Sequence, residues 1–134
     1  FACNNKETNR KYSDSRLSRR ALREIYLRAF EIIVREEQPW AIMSSYNVIN
    51  GRRASESREL LTTILRGEWG YAGLVMSDWW TRGEHYKEIL AGNDLKMANG
   101  YPERVEEAMK LGAVNRSDLK SCARRVLELI LEIA

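Results

Sequence analysis

Three observations predict an α/β fold with parallel strands. Short apolar runs alternate with longer segments of helical periodicity, which is the pattern of strand–helix units. The runs Trp40–Met43 and Gly73–Met76 are continuously apolar, as expected of strands buried on both faces of a parallel sheet. Four such units make half of a (β/α)8 barrel, since a closed barrel needs about 250 residues and the chain has 134. A small open doubly wound sheet is the alternative, but no Gly-rich phosphate loop follows any strand.

Four strands are predicted at the apolar runs. The first is Phe1–Cys3, the second Trp40–Met43 and the third Leu74–Ser77. The fourth, Asp94–Met97, is shorter and less apolar. Asn50-Gly51 marks a turn between the second strand and the next helix.

A long helix is predicted over residues 15–37, where Pro39 ends the helical pattern. One face of its 3.6-residue period is apolar and is expected to point inward. The residues of this face are Leu22, Ile25, Tyr26, Ala29 and Ile33.

Four more helices are predicted from caps, breakers and apolar stripes. The first is capped by Ser55 or Ser57, and the second covers residues 82–91 and ends at Gly92. Pro102 lies in the first turn of the third, and Ser117 begins the fourth. Their inward residues are Leu60, Leu61, Ile64 and Leu65; Tyr86, Ile89 and Leu90; Val105, Ala108 and Met109; and Leu119, Cys122, Val126, Leu127 and Ile130.

Composition is that of an ordinary globular domain and excludes several classes of function. The formal charge is only +3, so the arginine clusters are interpreted as solvated helix faces rather than a nucleic-acid surface. No apolar run approaches the roughly 20 residues that span a bilayer. Cys3 and Cys122 match no metal or redox spacing and are interpreted as two free buried thiols, so neither a metal nor a cofactor is predicted. There is no initiator Met, so we expect residues 1–134 to be an internal piece of a larger chain, which leaves its compartment open.

Polar side chains follow each predicted strand. In a parallel α/β barrel the active site lies at the carboxyl ends of the strands, so four such ends predict one shared site. The residues at these ends are Asn4, Asn5 and Arg10; Ser45, Tyr46 and Asn47; Asp78 and Trp79; and Lys96 and Met97.

Asp78 is the strand-end residue with the clearest chemistry. A carboxylate at the end of a buried strand is costly unless it has partners or a chemical role. Trp79 and Trp80 follow directly and offer flat apolar surfaces that suit the face of a sugar ring. The residues therefore predict a nucleophile that acts on glycosides. The alternatives are that Asp78 is an ordinary helix cap and that the two tryptophans only pack.

A series of short motifs runs through the first three-quarters of the chain. They are Phe1-Ala2, Asn4-Asn5, Glu7, Arg10, Leu22–Leu27, Met43–Asn47, Asn50-Gly51, Leu65-Arg66, Glu68–Tyr71, Gly73, Ser77–Trp79, Ala91-Gly92, Asp94-Leu95 and Met97. In their order and spacing these motifs resemble glycoside hydrolase family 3. The resemblance implies the C-terminal half of a catalytic (β/α)8 barrel and retaining hydrolysis of a terminal sugar, with a β-glucoside as the expected substrate.

The resemblance also assigns roles to five residues. Asp78 corresponds to the nucleophile of a retaining mechanism, in which a carboxylate attacks the anomeric carbon and forms a covalent glycosyl-enzyme. Trp79 corresponds to an aromatic residue beside the bound sugar, and Arg10 to an arginine that binds sugar hydroxyls. Tyr46 corresponds to a tyrosine close to the nucleophile, and Met43 to a residue lining the same pocket. A core position for Tyr46 and an ion pair for Arg10 are the alternatives.

Three other polar residues are predicted to lie outside the chemistry. Asp94 is expected to be structural and to accept backbone amides near the rim of the barrel. His85, the only histidine, is expected on a helix surface. Glu84 lies close to Asp78 in sequence but is not expected to be the general acid/base.

Several features of the family are missing from this chain or altered in it. The family usually has a Lys-His pair directly before the position of Phe1, and its acid/base usually lies on a second domain. Ala98 stands where proline is common, and Trp80 stands where the residue is often smaller. The expected partners are therefore a carbohydrate substrate, the remainder of the barrel and a second α/β domain with the acid/base, and this piece alone is expected to be inactive. A non-catalytic carbohydrate-binding homologue, or specificity for β-xylosides or N-acetylhexosaminides, is the alternative.

Overall fold

Two parallel strands form the centre of the structure. The computed structural model describes all residues from 1 to 134. β2 (Ala41–Ser44) pairs in parallel with β5 (Leu74–Ser77), with Met43 opposite Met76. A single parallel bridge joins Met76 to Leu95. The predicted second and third strands and their parallel arrangement are thus confirmed.

The first and fourth predicted strands do not form regular strands. The Phe1 carbonyl accepts from the Ser45 amide at 3.2 Å, but Cys3 turns the chain away with a φ of 63°. At the other edge, the Ser77 amide donates to the Leu95 carbonyl at 2.8 Å. The next amide, that of Met97, donates instead to the Ser77 side-chain Oγ at 2.8 Å. The Ser77 hydroxyl therefore replaces a backbone carbonyl as the acceptor, and the fourth strand ends after one bridge.

A small second sheet was not predicted. β1 (Asp14–Ser15) pairs in parallel with β3 (Val48–Ile49), which pairs antiparallel with β4 (Arg52–Arg53). The hairpin between β3 and β4 turns at Asn50 and Gly51, whose φ angles are 48° and 86°. Such angles favour Asn-Gly, so the predicted turn is confirmed.

The long first helix is interrupted by a π-helical turn. It consists of α1 (Arg19–Ala21), the π-helical segment Leu22–Tyr26 and α2 (Arg28–Glu37). The Ser18 Oγ caps its first turn, so the predicted start at residue 15 was too early. At the other end, Gln38 leaves the helix with a φ of 43°.

The predicted inward face of this helix is partly wrong. Leu27 and Val34 are fully buried, whereas Ile25 is 68% and Ile33 is 49% exposed. The π-helical turn contains an extra residue, which rotates all following side chains around the axis. Leu22 packs against the core on the near side of that turn, as predicted.

The π-helical segment Glu59–Glu68 contributes four residues to the main core, more than any other element. Ser57 caps it through a bond from the Leu60 amide, as predicted. Its predicted stripe is buried in one cluster with residues from the first helix and the strands. The members are Ala2, Cys3, Leu27, Val34, Ala54, Leu60, Leu61, Ile64, Leu65, Trp69, Tyr71, Val75 and Ala91.

The last three helices pack around a smaller core. They are α3 (His85–Ala91), α4 (Pro102–Lys110) and α5 (Arg116–Ile133). Gly92 ends α3 with a φ of 95°, and Asn115 caps α5 where Ser117 was predicted to begin it. The buried residues of this cluster are Ile89, Val105, Ala108, Val114 and Cys122.

Some apolar residues of α5 and α3 that were predicted to be buried are exposed. Leu127, Ile130 and Leu90 were expected to point inward, but all three are exposed because only one side of each helix packs on this chain.

Cys3 and Cys122 are free and buried, as predicted. None of the helices combines the length and the apolar composition needed to cross a membrane.

Leu61→Ala is expected to lower the free energy of unfolding by about 2–5 kcal/mol, because it leaves a cavity in the centre of the main core. Leu61 is fully buried in that cluster. Denaturant unfolding of the full-length protein, followed by circular dichroism, measures the loss. Leu111→Ala is the matched control, since Leu111 is 77% exposed. Equal losses for the two variants would contradict the described core.

Candidate active site

Asp78 follows directly on the last residue of β5 and lines a cleft of about 490 Å³. Its Oδ1 accepts from the Trp79 amide at 2.7 Å, which fixes the carboxylate at the strand end. It is the only acidic residue of the lining. The full lining is Phe1, Ala2, Cys3, Asn4, Asn5, Ile25, Tyr26, Phe30, Met43, Ser44, Ser45 and Asp78.

Met43 lies in the same cleft, on β2 beside the strand of Asp78. Because Ser44 is opposite Ser77 in the parallel register, the residues that follow these two strands emerge side by side. Asn4 and Asn5 reach the cleft from the segment beside β2. Residues from three of the four predicted strand ends therefore meet in this cleft, whereas Lys96 and Met97 of the fourth do not line it.

Tyr46 connects the end of β2 to the backbone behind Asp78. Its side chain is buried, and its hydroxyl donates to the Trp79 carbonyl at 2.6 Å. Burial first, and then the nearby Asp78 carboxylate, raise the pKa of the Tyr46 hydroxyl above its usual range. The hydroxyl therefore stays protonated at neutral pH and remains a hydrogen-bond donor. Tyr46 is thus both buried and adjacent to the candidate nucleophile.

Arg10 lies over the aromatic ring of Tyr46. Its guanidinium carbon is 4.9 Å from the centre of the Tyr46 ring, a cation–π contact. Its Nη1 also pairs with Glu7 at 2.8 Å, so the alternative ion pair is present. Arg10 does not line the cleft with Asp78 and Met43, although it reaches the cleft's neighbour Tyr46.

Trp79 and Trp80 form an exposed aromatic pair beside Asp78. Their ring centres are 5.4 Å apart in an edge-to-face arrangement, and the side chains are 45% and 57% exposed. The Trp80 amide donates to the Met97 carbonyl at 3.0 Å, and its φ of 53° directs the chain away from the strand. Apolar rings left open to solvent at a strand end are available to contact a ligand.

Lys96 was grouped with the site by its place at a strand end, and this was wrong. Its Nζ is buried and pairs with Glu88 Oε2 at 2.6 Å. It also donates to Thr81 Oγ1 at 3.1 Å and to the Gly83 carbonyl at 3.0 Å. Glu88 Oε1 in turn accepts from Thr81 at 2.9 Å and from Ser55 at 2.7 Å.

This buried network is the main feature that the sequence reasoning missed. It fixes the loop from Thr81 to Gly83, directly after the two tryptophans, in a non-helical conformation. The predicted helix start at residue 82 therefore moves to His85. The available signal was Lys96 itself, since a lysine in a buried segment requires an acidic partner.

Ser45 and Asn47 also have structural roles. Ser45 Oγ donates to the carbonyls of Phe1 and Ala2, at 3.2 and 3.0 Å. Asn47 Nδ2 donates to the Cys3 carbonyl at 3.2 Å. Both side chains thus attach the first segment to the end of β2, and Ser45 also lines the cleft.

Asp94 is structural, as predicted. Its Oδ2 accepts from the Val75 amide at 2.9 Å and from Arg66 at 2.7 Å, and its Oδ1 pairs with Arg125 at 2.6 Å. His85 is half-buried rather than on the surface, and its Nδ1 accepts from the Tyr101 amide at 3.3 Å. Glu84 does not line the cleft, in keeping with its exclusion as the acid/base.

Cys3 is the other nucleophilic side chain in the cleft. Burial raises the pKa of its thiol to about 11. Since the thiolate is the reactive form, Cys3 is a poor nucleophile at neutral pH. Asp78 therefore has the only charged nucleophilic group in the lining.

Comparison with known proteins identifies the family to which this chain belongs. Residues 4–129 match the sequence profile of the glycosyl hydrolase family 3 N terminal domain. β-Glucosidase A of Butyrivibrio fibrisolvens is 62% identical over 120 residues, covering 90% of this chain and 14% of that protein. An exo-α-(1→6)-L-arabinopyranosidase of Bifidobacterium longum is 44% identical over 131 residues, covering 97% of this chain and 17% of that protein.

Solved structures agree with the sequence matches. β-Glucosidase 3B of Thermotoga neapolitana, in complex with α-D-glucose, superposes with a TM-score of 0.94 at 41% identity. The superposition covers 98% of this chain and 20% of that one. The chain therefore spans no more than a fifth of the length of these relatives. The fold and the matches define a part of a glycoside hydrolase. The chain belongs to glycosyl hydrolase family 3, and the matching part is the N-terminal domain of that family.

Tyr46→Phe in the full-length protein is expected to lower kcat by about 5- to 100-fold. The substitution removes a buried hydrogen bond next to Asp78, which costs about 1–3 kcal/mol. Steady-state hydrolysis of an aryl β-glucoside measures kcat. Tyr71→Phe is the matched control, since the buried Tyr71 hydroxyl also donates to a backbone carbonyl, that of Leu74 at 2.8 Å. That bond lies at the opposite end of β5. If the control lowered kcat as much, the effect at Tyr46 would be one of stability alone.

Proposed function

We propose that the protein containing this chain is a retaining glycoside hydrolase that releases the terminal sugar from β-glucosides. Asp78 is the nucleophile. The observation that carries the proposal is the position of its carboxylate, which is fixed at the end of β5 and is the only acidic group in the cleft. The family and the printed names of its β-glucosidase relatives support the substrate class.

The proposed reaction takes place in two displacements. A carboxylate oxygen of Asp78 forms a bond to the anomeric carbon while the bond to the leaving oxygen breaks, and a second carboxylic acid gives that oxygen a proton. Water then attacks the same carbon, gives its proton to the second carboxylate and releases Asp78. Two inversions restore the β configuration.

The neighbours of Asp78 have distinct proposed parts in this reaction. Tyr46 orients the backbone at Trp79 and stays a neutral donor close to the carboxylate. Met43 lines the wall of the cleft, and Trp79 offers a flat face to the sugar. Arg10 binds sugar hydroxyls at the rim, where its guanidinium lies on the Tyr46 ring.

The second carboxylic acid is proposed to come from outside this chain. Retaining enzymes place their two carboxyl groups about 5–5.5 Å apart, and Asp78 is alone in the cleft lining. We infer that residues 1–134 are the C-terminal half of a (β/α)8 barrel, that the rest of the barrel and a second domain complete the site, and that this piece alone is inactive. Apolar side chains are exposed on the first and last helices, for example Ile25 and Leu131. Their exposure supports the proposal that other parts of the protein pack against these two helices.

A second candidate substrate follows from one relative. The Bifidobacterium longum protein that is 44% identical is named as an exo-α-(1→6)-L-arabinopyranosidase. Release of nitrophenol from a panel of nitrophenyl glycosides by the full-length protein separates the two. A higher kcat/KM for the α-L-arabinopyranoside than for the β-D-glucoside would replace the primary assignment.

Asp78→Asn in the full-length protein is expected to lower kcat for an aryl β-glucoside by at least about 10³-fold, because an amide cannot form the glycosyl ester. A 2-deoxy-2-fluoro-β-glucoside with a good leaving group is expected to label the wild-type protein at Asp78, as read by peptide mass spectrometry.

Asp118→Asn is the control for this substitution. Asp118 is a half-buried carboxylate in the first turn of α5, where it accepts from the Asn115 amide far along the chain from Asp78. Its removal should leave kcat unchanged. Unaltered turnover and labelling in Asp78→Asn would show that another residue is the nucleophile.

A further inference from the structure

A positive side chain without a carboxylate partner lies beside the candidate site. The Lys11 Nζ is 5.3 Å from the centre of the Tyr46 ring and 6.0 Å from that of Trp80. The residue is half-buried, and no carboxylate oxygen lies within 4 Å of its ammonium group. A partly desolvated cation between two aromatic rings is a binding position for an anion.

The surroundings of Lys11 are positive as well. Arg53 Nη1 donates to the carbonyls of Lys11 and Tyr46, at 3.3 and 2.9 Å. Arg82 donates to the Tyr12 hydroxyl and stacks on its ring at 4.7 Å. Of the four basic side chains here, only Arg10 pairs with an acid, Glu7. The local field therefore favours a negatively charged group.

Trp80 supplies the second half of a binding surface. Its ring is more exposed than that of Trp79 and lies edge-to-face with it. Neither Trp80 nor Lys11 lines the cleft that contains Asp78. Trp80 is two residues after Asp78, and the Lys11 ammonium contacts both Trp80 and Tyr46. A leaving group that extends out of the cleft from a sugar at Asp78 can therefore reach these two residues.

We propose that Lys11 and Trp80 form a subsite for a flat leaving group that carries a carboxylate, namely a carboxylated phenol. The aromatic plane stacks on Trp80, and the carboxylate pairs with the Lys11 ammonium. This inference rests on the proposed function, because it needs a glycoside in the cleft. It makes Lys11 and Trp80 determinants of specificity rather than catalytic residues.

The experiment compares two substrates of nearly the same shape, of which only one has a charged leaving group. The full-length protein hydrolyses 4-carboxyphenyl β-glucoside and its neutral analogue, 4-carbamoylphenyl β-glucoside, and the ratio of their kcat/KM values is the readout. Comparing this ratio between variants cancels the difference in leaving-group chemistry and any general effect on rate. Lys11→Met is expected to lower the ratio about two- to fivefold, which is the upper part of the range for one partly screened ion pair.

Two further variants test the same geometry. Lys11→Arg is expected to keep the ratio, because it keeps the charge. Trp80→Ala is expected to lower kcat/KM for both aryl glucosides at least about threefold more than kcat/KM for methyl β-glucoside, since only the aryl groups stack. Lys87→Met is the matched control, as Lys87 makes the same type of contact with Tyr86, at 5.8 Å, on α3.

The outcomes separate this inference from the proposed function. Hydrolysis that depends on Asp78, with a ratio unchanged by Lys11→Met, would overturn the subsite and leave the proposed function standing. An equal change in the ratio with Lys87→Met would show a general effect of charge and would also overturn it. If neither glucoside were hydrolysed by an Asp78-dependent reaction, both proposals would fail.

Discussion

The carboxylate of Asp94 joins three elements on which the rest of the structure depends. One oxygen accepts from the β5 backbone at Val75 and from Arg66 of the π-helical segment, and the other pairs with Arg125 of α5. Its side chain is fully buried, so each of these bonds forms in a weakly polar environment. Removing one member of such a group leaves the others charged and unpaired, at a cost of about 3–5 kcal/mol. The strand that ends at Asp78 is thereby fixed to the helices behind it.

A second buried pair acts on the other side of the candidate nucleophile. Glu88 and Lys96 fix the Thr81–Gly83 loop, and this loop begins where the two tryptophans end. Both side chains are buried, and the loop that they fix directly follows Trp80. The site thus combines exposed aromatic rings with a backbone that two ion-pair groups fix from opposite sides.

Sequence reasoning located the two central strands and the acid because both have local signals. The continuous apolar run before Asp78 can hardly be anything but a buried strand, and the family motif around it assigned the neighbouring residues. Which face of the first helix is buried could not be predicted after Leu22. The π-helical turn at Leu22–Tyr26 shifts that face, and nothing in the sequence periodicity indicates the turn. The burial of Leu27 and Val34 reveals it. Lys96 was misplaced for a related reason, since position at a strand end does not say to which side a long side chain turns. Its partner Glu88 lies eight residues earlier on a different element. Pairing of this kind depends on tertiary packing.

Ser77 has a consequence for how the motif around Asp78 works. Its Oγ accepts from the Met97 amide at 2.8 Å and donates to the carbonyl of Asp78 at 2.9 Å. Alanine at this position would leave a buried amide without an acceptor, so the serine is required by the backbone rather than by a ligand. The Ser77 hydroxyl thus connects the Met97 backbone, after Leu95, to the backbone carbonyl of Asp78. Substitutions beyond Leu95 can therefore change the orientation of Asp78 without lying in the cleft.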